Sequence, residues 1–238
     1  MAAGTDLVTW THVVLDGSSS EGAATFWERA LGGSWRAAAP TAGLAAGLVQ
    51  PGGDPYVHRA ARGTTAPDLV LEVPDVEAST RRVLALGGGQ GLRSPGGLRF
   101  TLTQAHPHRR VPAMSWPDGT SSRLVQACHD CPAEVAQAEA EFWREVTGWA
   151  WQGSDSPEFV CHLVPTVGSL QLLVQRRASV LPREVTVHLD LGTSDREAEA
   201  ARLVALGATR QATGGGWIVL TDPDGRTFCA TGQPPEAP

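Results

Sequence analysis

A chain of 238 residues with 42% hydrophobic and 18% charged residues has a globular composition with room for two cores, and no apolar run approaches the roughly 18 residues of a membrane span. A net charge of −6, with basic residues gathered no more tightly than pairs such as Arg109-Arg110 and Arg176-Arg177, argues against a nucleic-acid partner. The first residues, Met-Ala-Ala-Gly-Thr-Asp, form neither a basic n-region nor an apolar h-region, so the expected location is the cytoplasm.

In chain order, residues 7–15 form a β-rich run that ends at Asp16-Gly17-Ser18-Ser19-Ser20. Ala23, Trp27, Ala30 and Leu31 then recur at helical spacing over 20–32, and Gly32-Gly33 stops the helix. Extended stretches around Trp35, 44–50 and 56–59 complete a βαβββ module. A second module opens with 69–73, passes through Pro74-Asp75 into a helix ending at Leu86, and continues in strands near 98–103 and 123–128. A third takes 124–128 as its first strand and 133–147 as its helix, with Val135, Ala138, Phe142 and Val146 as the buried stripe. One continuous strand near Arg123 is expected to end the first domain and begin the second. The fourth module has a strand over 185–191, a capping box at Ser194-Asp195-Arg196-Glu197 and a helix closed by Gly207. A hairpin over 217–220 and 227–230 follows, turning at Asp222-Pro223-Asp224-Gly225, and Trp116-Pro117-Asp118-Gly119 reads as its first-half counterpart.

The plan is duplicated. Ala24, Phe26-Trp27, Gly32 and Trp35 return 116 positions later as Ala140, Phe142-Trp143, Gly148 and Trp151, and 75–87 matches 195–207 at an offset of 120. Two domains follow, 1–122 and 123–238, each of two modules that should enclose something. From Gly87 to Pro117 is 30 positions against 16 from Gly207 to Pro223, so the first half carries extra residues around His106-Pro107-His108-Arg109-Arg110, read as a loop at a pocket edge. The Cys128-His129-Asp130-Cys131 spacing admits half a zinc site, but no second such pair exists, and small buried residues are the simpler reading.

The segments His188-Leu189-Asp190-Leu191, Asp195, 203–208, 217–220, Asp222-Pro223-Asp224-Gly225 and Phe228-Cys229 resemble the vicinal oxygen chelate superfamily, the group of glyoxalase I, bleomycin-resistance proteins and extradiol dioxygenases. The resemblance implies an α+β fold in which four βαβββ modules form two glyoxalase/bleomycin-resistance-like domains, their mixed sheets cup-shaped and their helices outside. Strand alternation then sorts the faces. Leucines cover helices, while Trp10, His12, Asp68, Glu72, Gln126, His188 and Asp190 face the cups, with Trp116 and Trp217 beside them. Trp27, Trp35, Trp143 and Trp151 read as packing, and His58, His106, His108, His129 and His162 as surface or satisfied core.

In metal-dependent relatives the ligands are a His or Gln on one first strand, a His on its partner's first strand and a Glu on a last strand. Carried over, the second domain offers Gln126 and His188 but Cys229 at the Glu position, and the first offers His12 and Asp68 but Arg123. The missing carboxylate leads to an expectation of no cofactor; a divalent metal (Fe, Mn, Ni or Zn), if bound, would use His12 with Asp68, or Gln126 with His188. The functional expectation is a protein that binds a small, planar or oxygenated molecule, for instance to sequester a drug, using Trp10, His12, Asp68, Arg123, Gln126, His188, Asp190, Trp217 and Cys229. The alternative is a lyase, isomerase or dioxygenase, metal-assisted or with His12 or His188 as general base. The sequence is compatible with module pairing within or across the halves, and with a monomer or a homodimer.

Overall fold

The computed structural model describes residues 6–16, 20–38, 43–64, 66–89, 91–166, 168–177 and 183–236. The first half contains β1 (Trp10–Leu15), α1 (Glu21–Leu31), β2 (Ser34–Ala37), β3 (Leu44–Val49), β4 (Val57–Ala60), β5 (Leu69–Val73), α2 (Val76–Ala85) and β6 (Phe100–Gln104). Its strands form one sheet in the order β2-β3-β4-β1-β5-β6. There follow β7 (Met114–Ser115), β8 (Ser121–Pro132), α3 (Ala136–Thr147), β9 (Ala150–Gln152), β10 (Phe159–Val164), β11 (Gln171–Arg177), β12 (Thr186–Thr193), α4 (Arg196–Ala205), β13 (Thr209–Thr213), β14 (Trp217–Thr221) and β15 (Thr227–Thr231). These strands make a second sheet, β13-β14-β15-β12-β8-β11-β10-β9, with β7 beside β8. Among the described residues no helix is long and apolar enough to cross a membrane.

Both sheets are organised around an antiparallel pair, β1/β5 in one and β8/β12 in the other, each flanked by parallel neighbours. Modules therefore pair within each half. The register places Trp10 opposite Glu72 and His12 opposite Val70, and likewise Gln126 opposite Asp190 and Cys128 opposite His188. By strand position, Cys128 thus takes the place of His12 and Asp190 that of Glu72.

Three expectations are corrected. The last strand of the second module is β6, parallel to β5 with Thr103 beside Glu72, and not the stretch containing Arg123. The stretch near Arg123 is β8, which lies wholly in the second sheet and so does not join the two halves as a shared strand. The turn at 117–119 accordingly connects β7 to β8, and the place of Asp222-Pro223-Asp224-Gly225 is taken in the first half by Ser94-Pro95-Gly96-Gly97, where Gly97 N donates to Ser94 O at 3.0 Å. An apolar alternating run reads identically in either sheet, because its partner is not written in its own pattern.

Local signals act as their chemistry requires. Ser20 Oγ caps α1 by accepting from Ala23 N, and Gly32 ends it in the left-handed region at φ 64°. Asp75 caps α2, and Asp195, rather than Ser194, caps α4 by accepting from Glu197 N and Ala198 N.

The halves are joined by an exchange of helix contacts. On α1, Phe26 and Trp27 pack on Phe228 of β15 at ring separations of 5.6 and 5.2 Å, and Trp27 Nε1 donates to Asp222 Oδ2 at 3.0 Å. On α3, Phe142 and Trp143 pack on Phe100 of β6 at 6.1 and 5.0 Å, while Glu139 accepts from Trp143 Nε1, Ser94 Oγ and Gly96 N. Each helix thus fills the other half's sheet. Phe100 and Phe228 are both buried, and a Phe-to-Ala change in a core costs about 3–5 kcal/mol. Phe100→Ala and Phe228→Ala should each lower the unfolding free energy by about that amount in urea titrations, and each should destabilise both halves together as one transition.

Candidate functional site

On the second sheet, Gln126, His188, Asp190, Trp217 and Cys229 line one cavity of about 430 Å³. Phe159, Leu173 and His162 complete its wall, and Phe159 meets Trp217 edge to face at 5.4 Å. Arg196 stands at its rim, donating to Gly215 O at 3.2 Å. The wall is thus apolar and aromatic, with a few polar groups converging on the floor, which is the usual constitution of a small-molecule pocket.

The floor is a chain of charges. His188 Nδ1 lies 2.6 Å from Asp130 Oδ2, its Nε2 lies 3.2 Å from Asp190 Oδ1, and Gln126 Nε2 donates to Asp190 Oδ2 at 2.7 Å. Burial opposes charge on the ring, but the carboxylates of Asp190 and Asp130 outweigh it and raise the His188 pKa well above its ordinary value. His188 is therefore an imidazolium donating from both nitrogens. Burial also pushes the Cys128 and Cys229 thiols up, so both remain protonated. One acceptor, Gln126 Oε1, is buried without a hydrogen-bond donor.

The first cup is differently furnished. His12 Nδ1 contacts Pro55 O at 3.0 Å and its Nε2 lies 3.1 Å from Glu72 Oε1. The segment after β6 closes over this pair: His106 N donates to Glu72 Oε2 at 2.9 Å, and His108 Nε2 lies 2.9 Å from Glu72 Oε1. The His108 ring stacks on Trp10 at 4.5 Å, and Trp10 stacks on Tyr56 at 4.7 Å. Asp54 fastens the segment by accepting from Arg109 N at 2.6 Å, and Gly53 allows it to lie close, since a Cβ there would meet the Val111 backbone at 2.4 Å. Burial holds His58, which reaches His12 Nδ1 at 3.1 Å, down at a pKa of about 3. His58 and His108, read from sequence as background, thus belong to the cluster around His12. The signal that could have found His108 was the His106-Pro107-His108 group in the over-long interval.

The remaining site residues lie elsewhere. Asp68 does not join His12; it pairs with Arg99 at 3.0 Å on the wall of a cleft of about 430 Å³ between the halves. The carboxylate beside His12 is Glu72. Arg123 is buried opposite Gly192 on β8, where burial and Arg110 lower its pKa to about 10. Trp116 faces the junction between halves, donating to Ser122 Oγ at 2.8 Å beneath the Arg202 guanidinium. Among the described residues, two groups of side chains bring ligand atoms within 4.8 Å of one another: His12, Glu72 and His108, and Cys128, His188 and Asp190.

Residues 126–231 match the family model of the glyoxalase-like domain. Among solved structures, the chain is similar to the Mn(II)-bound glyoxalase from Novosphingobium aromaticivorans at 16% identity and a TM-score of 0.66, covering 95% of this chain and 83% of that one. It is also similar to a mutant 4-hydroxymandelate synthase from Streptomyces coelicolor (16% identity, TM-score 0.56, 94% and 92% covered). A catechol 2,3-dioxygenase gives 14% identity and a TM-score of 0.56, with 98% and 91% covered. At these identities the likeness is one of fold. A search of curated proteins found no significant match.

His129, adjoining the floor, is fully buried with neither ring nitrogen hydrogen-bonded and packs edge-on against Trp143 at 5.2 Å. Burial, reinforced by His188, lowers its pKa from 6.5 to about 3. Between those values the unfolded chain holds the extra proton, so His129 removes stability as pH falls below 6.5, by up to about 1.4 kcal/mol per pH unit. His129→Phe should flatten that acid limb in denaturant titrations at pH 4–6. His188 has the opposite sign: its contribution is complete below pH 6.5 and is lost as pH rises through its elevated folded value. His188→Gln should therefore reduce stability most at acidic pH.

Proposed function

From a chain with the vicinal oxygen chelate fold whose residues 126–231 match the glyoxalase-like domain, we propose a protein that binds a small, planar, oxygenated organic molecule in the cup of its second half. The observation that carries this reading is the cavity floor itself: Gln126 Oε1 is a buried acceptor without a donor beneath a wall of Trp217 and Phe159. An unpaired buried acceptor costs about 1–3 kcal/mol, so a ligand bringing O–H or N–H groups to that floor recovers the penalty while its ring covers the indole. Sequestration of such a molecule, including a drug, requires nothing further of the site. The division into domains 1–122 and 123–238 goes with this reading, the second carrying the working cup.

The second cup does not suit a divalent metal as its charges stand. His188 meets a carboxylate at each ring nitrogen and is itself the cation there, and the Cys128 thiol stays protonated. A second reading, catalysis in the same cavity, is supported by His188 as a proton source. Held in its charged form, it suits a general acid rather than the general base expected from sequence.

Catechol, a flat ring with two adjacent O–H donors, is a suitable probe. Saturable quenching of tryptophan emission is expected in the parent protein, with most of the amplitude lost in Trp217→Phe and retained in Trp10→Phe, whose indole lies under His108. Gln126→Leu should weaken binding by about tenfold, equivalent to about 1.4 kcal/mol. Quenching indifferent to Trp217 would refute the placement of the ligand. If the cavity is catalytic, absorbance of the probe should change with time and cease to do so in His188→Gln.

A further inference from the structure

We infer that the cleft between the two halves is a second ligand site, built for a zwitterion with an apolar body, the chemistry of a free hydrophobic amino acid, whose carboxylate meets Arg93 and whose ammonium meets Glu184.

The exchanged helices fill the flanks of the junction, Trp27 packing on Phe228 and Phe142-Trp143 on Phe100. Trp27 and Arg99, the neighbour of Phe100, both line the cleft of about 430 Å³, and β1 and β12 present Val13, Leu15, Val187 and Leu189 to it. That volume falls in the range of about 300–1,000 Å³ usual for small-molecule sites, which favour junctions between domains. An aliphatic group placed there leaves water on contact with both strands and gains the ordinary hydrophobic free energy of burial.

The charged groups determine what else the ligand must carry. The cleft is lined by three carboxylates, Asp16, Asp68 and Glu184, and three guanidinium groups, Arg93, Arg99 and Arg226. Four of these are matched to one another: Arg99 spans Asp68 with contacts of 3.3 and 3.0 Å, and Arg226 reaches Asp16 at 3.4 Å. Arg93 and Glu184 remain. Arg93 Nη1 donates to Gly97 O at 2.9 Å, and neither side chain forms an ion pair with another described residue. Both stand against Gly97, since a Cβ built there would lie 3.2 Å from Glu184 Cγ. One cation and one anion beside the same glycine, not joined to each other, match the adjacent carboxylate and ammonium of an α-amino acid. A simple anion would meet Glu184 and a simple cation would meet Arg93, so a zwitterion is favoured over either.

Arg93 belongs to the first half and Glu184 to the second, and Val185 N donates to Gly96 O at 2.9 Å beside them, so the ligand's head group would span the junction. Strand β12 contributes to both cavities, with Val187 and Leu189 in the cleft and Asp190 in the second cup. This inference concerns a different cavity from the second-cup binding reading and stands independently of it.

The test is isothermal titration calorimetry of the full-length protein with L-leucine, whose branched side chain is aliphatic and does not suit the stacked wall of the second cup. Saturable binding is expected. It should be about tenfold weaker for isoamylamine, which lacks the carboxylate, and for isocaproate, which lacks the ammonium. Arg93→Gln and Glu184→Gln, at exposed positions where the fold is not at stake, should each weaken leucine binding by about tenfold. Isoamylamine should bind Arg93→Gln as it binds the parent, and isocaproate should do the same with Glu184→Gln, because each analogue lacks the group that the altered residue would hold. Absence of saturable leucine binding, or a leucine affinity unchanged in either variant, would overturn the assignment.

Discussion

The structure depends on the reciprocal insertion of two aromatic pairs. Phe26-Trp27 of α1 meets Phe228 of the second sheet, and Phe142-Trp143 of α3 meets Phe100 of the first. Neither sheet has its apolar face covered by its own helices alone, so the core of each half is completed by the other. Polar anchoring is reciprocal but reversed in sign. In one half the carboxylate sits on the turn, as Asp222 accepting from Trp27; in the other it sits on the helix, as Glu139 accepting from Ser94 and Gly96. A buried indole N–H needs an acceptor, and either placement provides one.

That fixed frame leaves the opposite faces of the sheets free to diverge. The β1/β5 and β8/β12 pairs share one geometry, but His12 and Glu72 occupy positions held by Cys128 and Asp190 in the other half. In the second half, carboxylates surround a charged His188 and a cavity remains open above it. In the first, Trp10, Tyr56 and His108 stack into the corresponding space. The contrast is carried by a few side chains and one inserted segment on central strand pairs of the same register.

Much of this was legible in the sequence. The repeated Phe-Trp pairs announced the duplication, and strand alternation put Gln126, His188 and Asp190 on one face, where the cavity is found. What was not legible was partnership. Trp27 and Trp143 read simply as packing, since periodicity states that a residue is buried without stating against what. The last strand of the second module was misplaced because Phe100–Gln104 is short and its preceding hairpin is reduced to the bridges Gly89–Arg93 and Arg93–Arg99. Asp68 and Glu72 share a face by alternation and flank Val70, the partner of His12, symmetrically, so neither alternation nor register says which carboxylate meets His12. His108 comes from an irregular segment, where no period exists to be read.

The exchanged helices bear on how such a molecule can change over evolutionary time. Two half-length chains could build the same frame as a homodimer, but symmetry would oblige both cups to carry identical floors, and every substitution would appear twice. Covalent fusion removes that obligation. One copy can then be filled in and given over to rigidity while its twin keeps a vacancy for a guest, a division of labour that a symmetric ancestor could not reach by any single substitution.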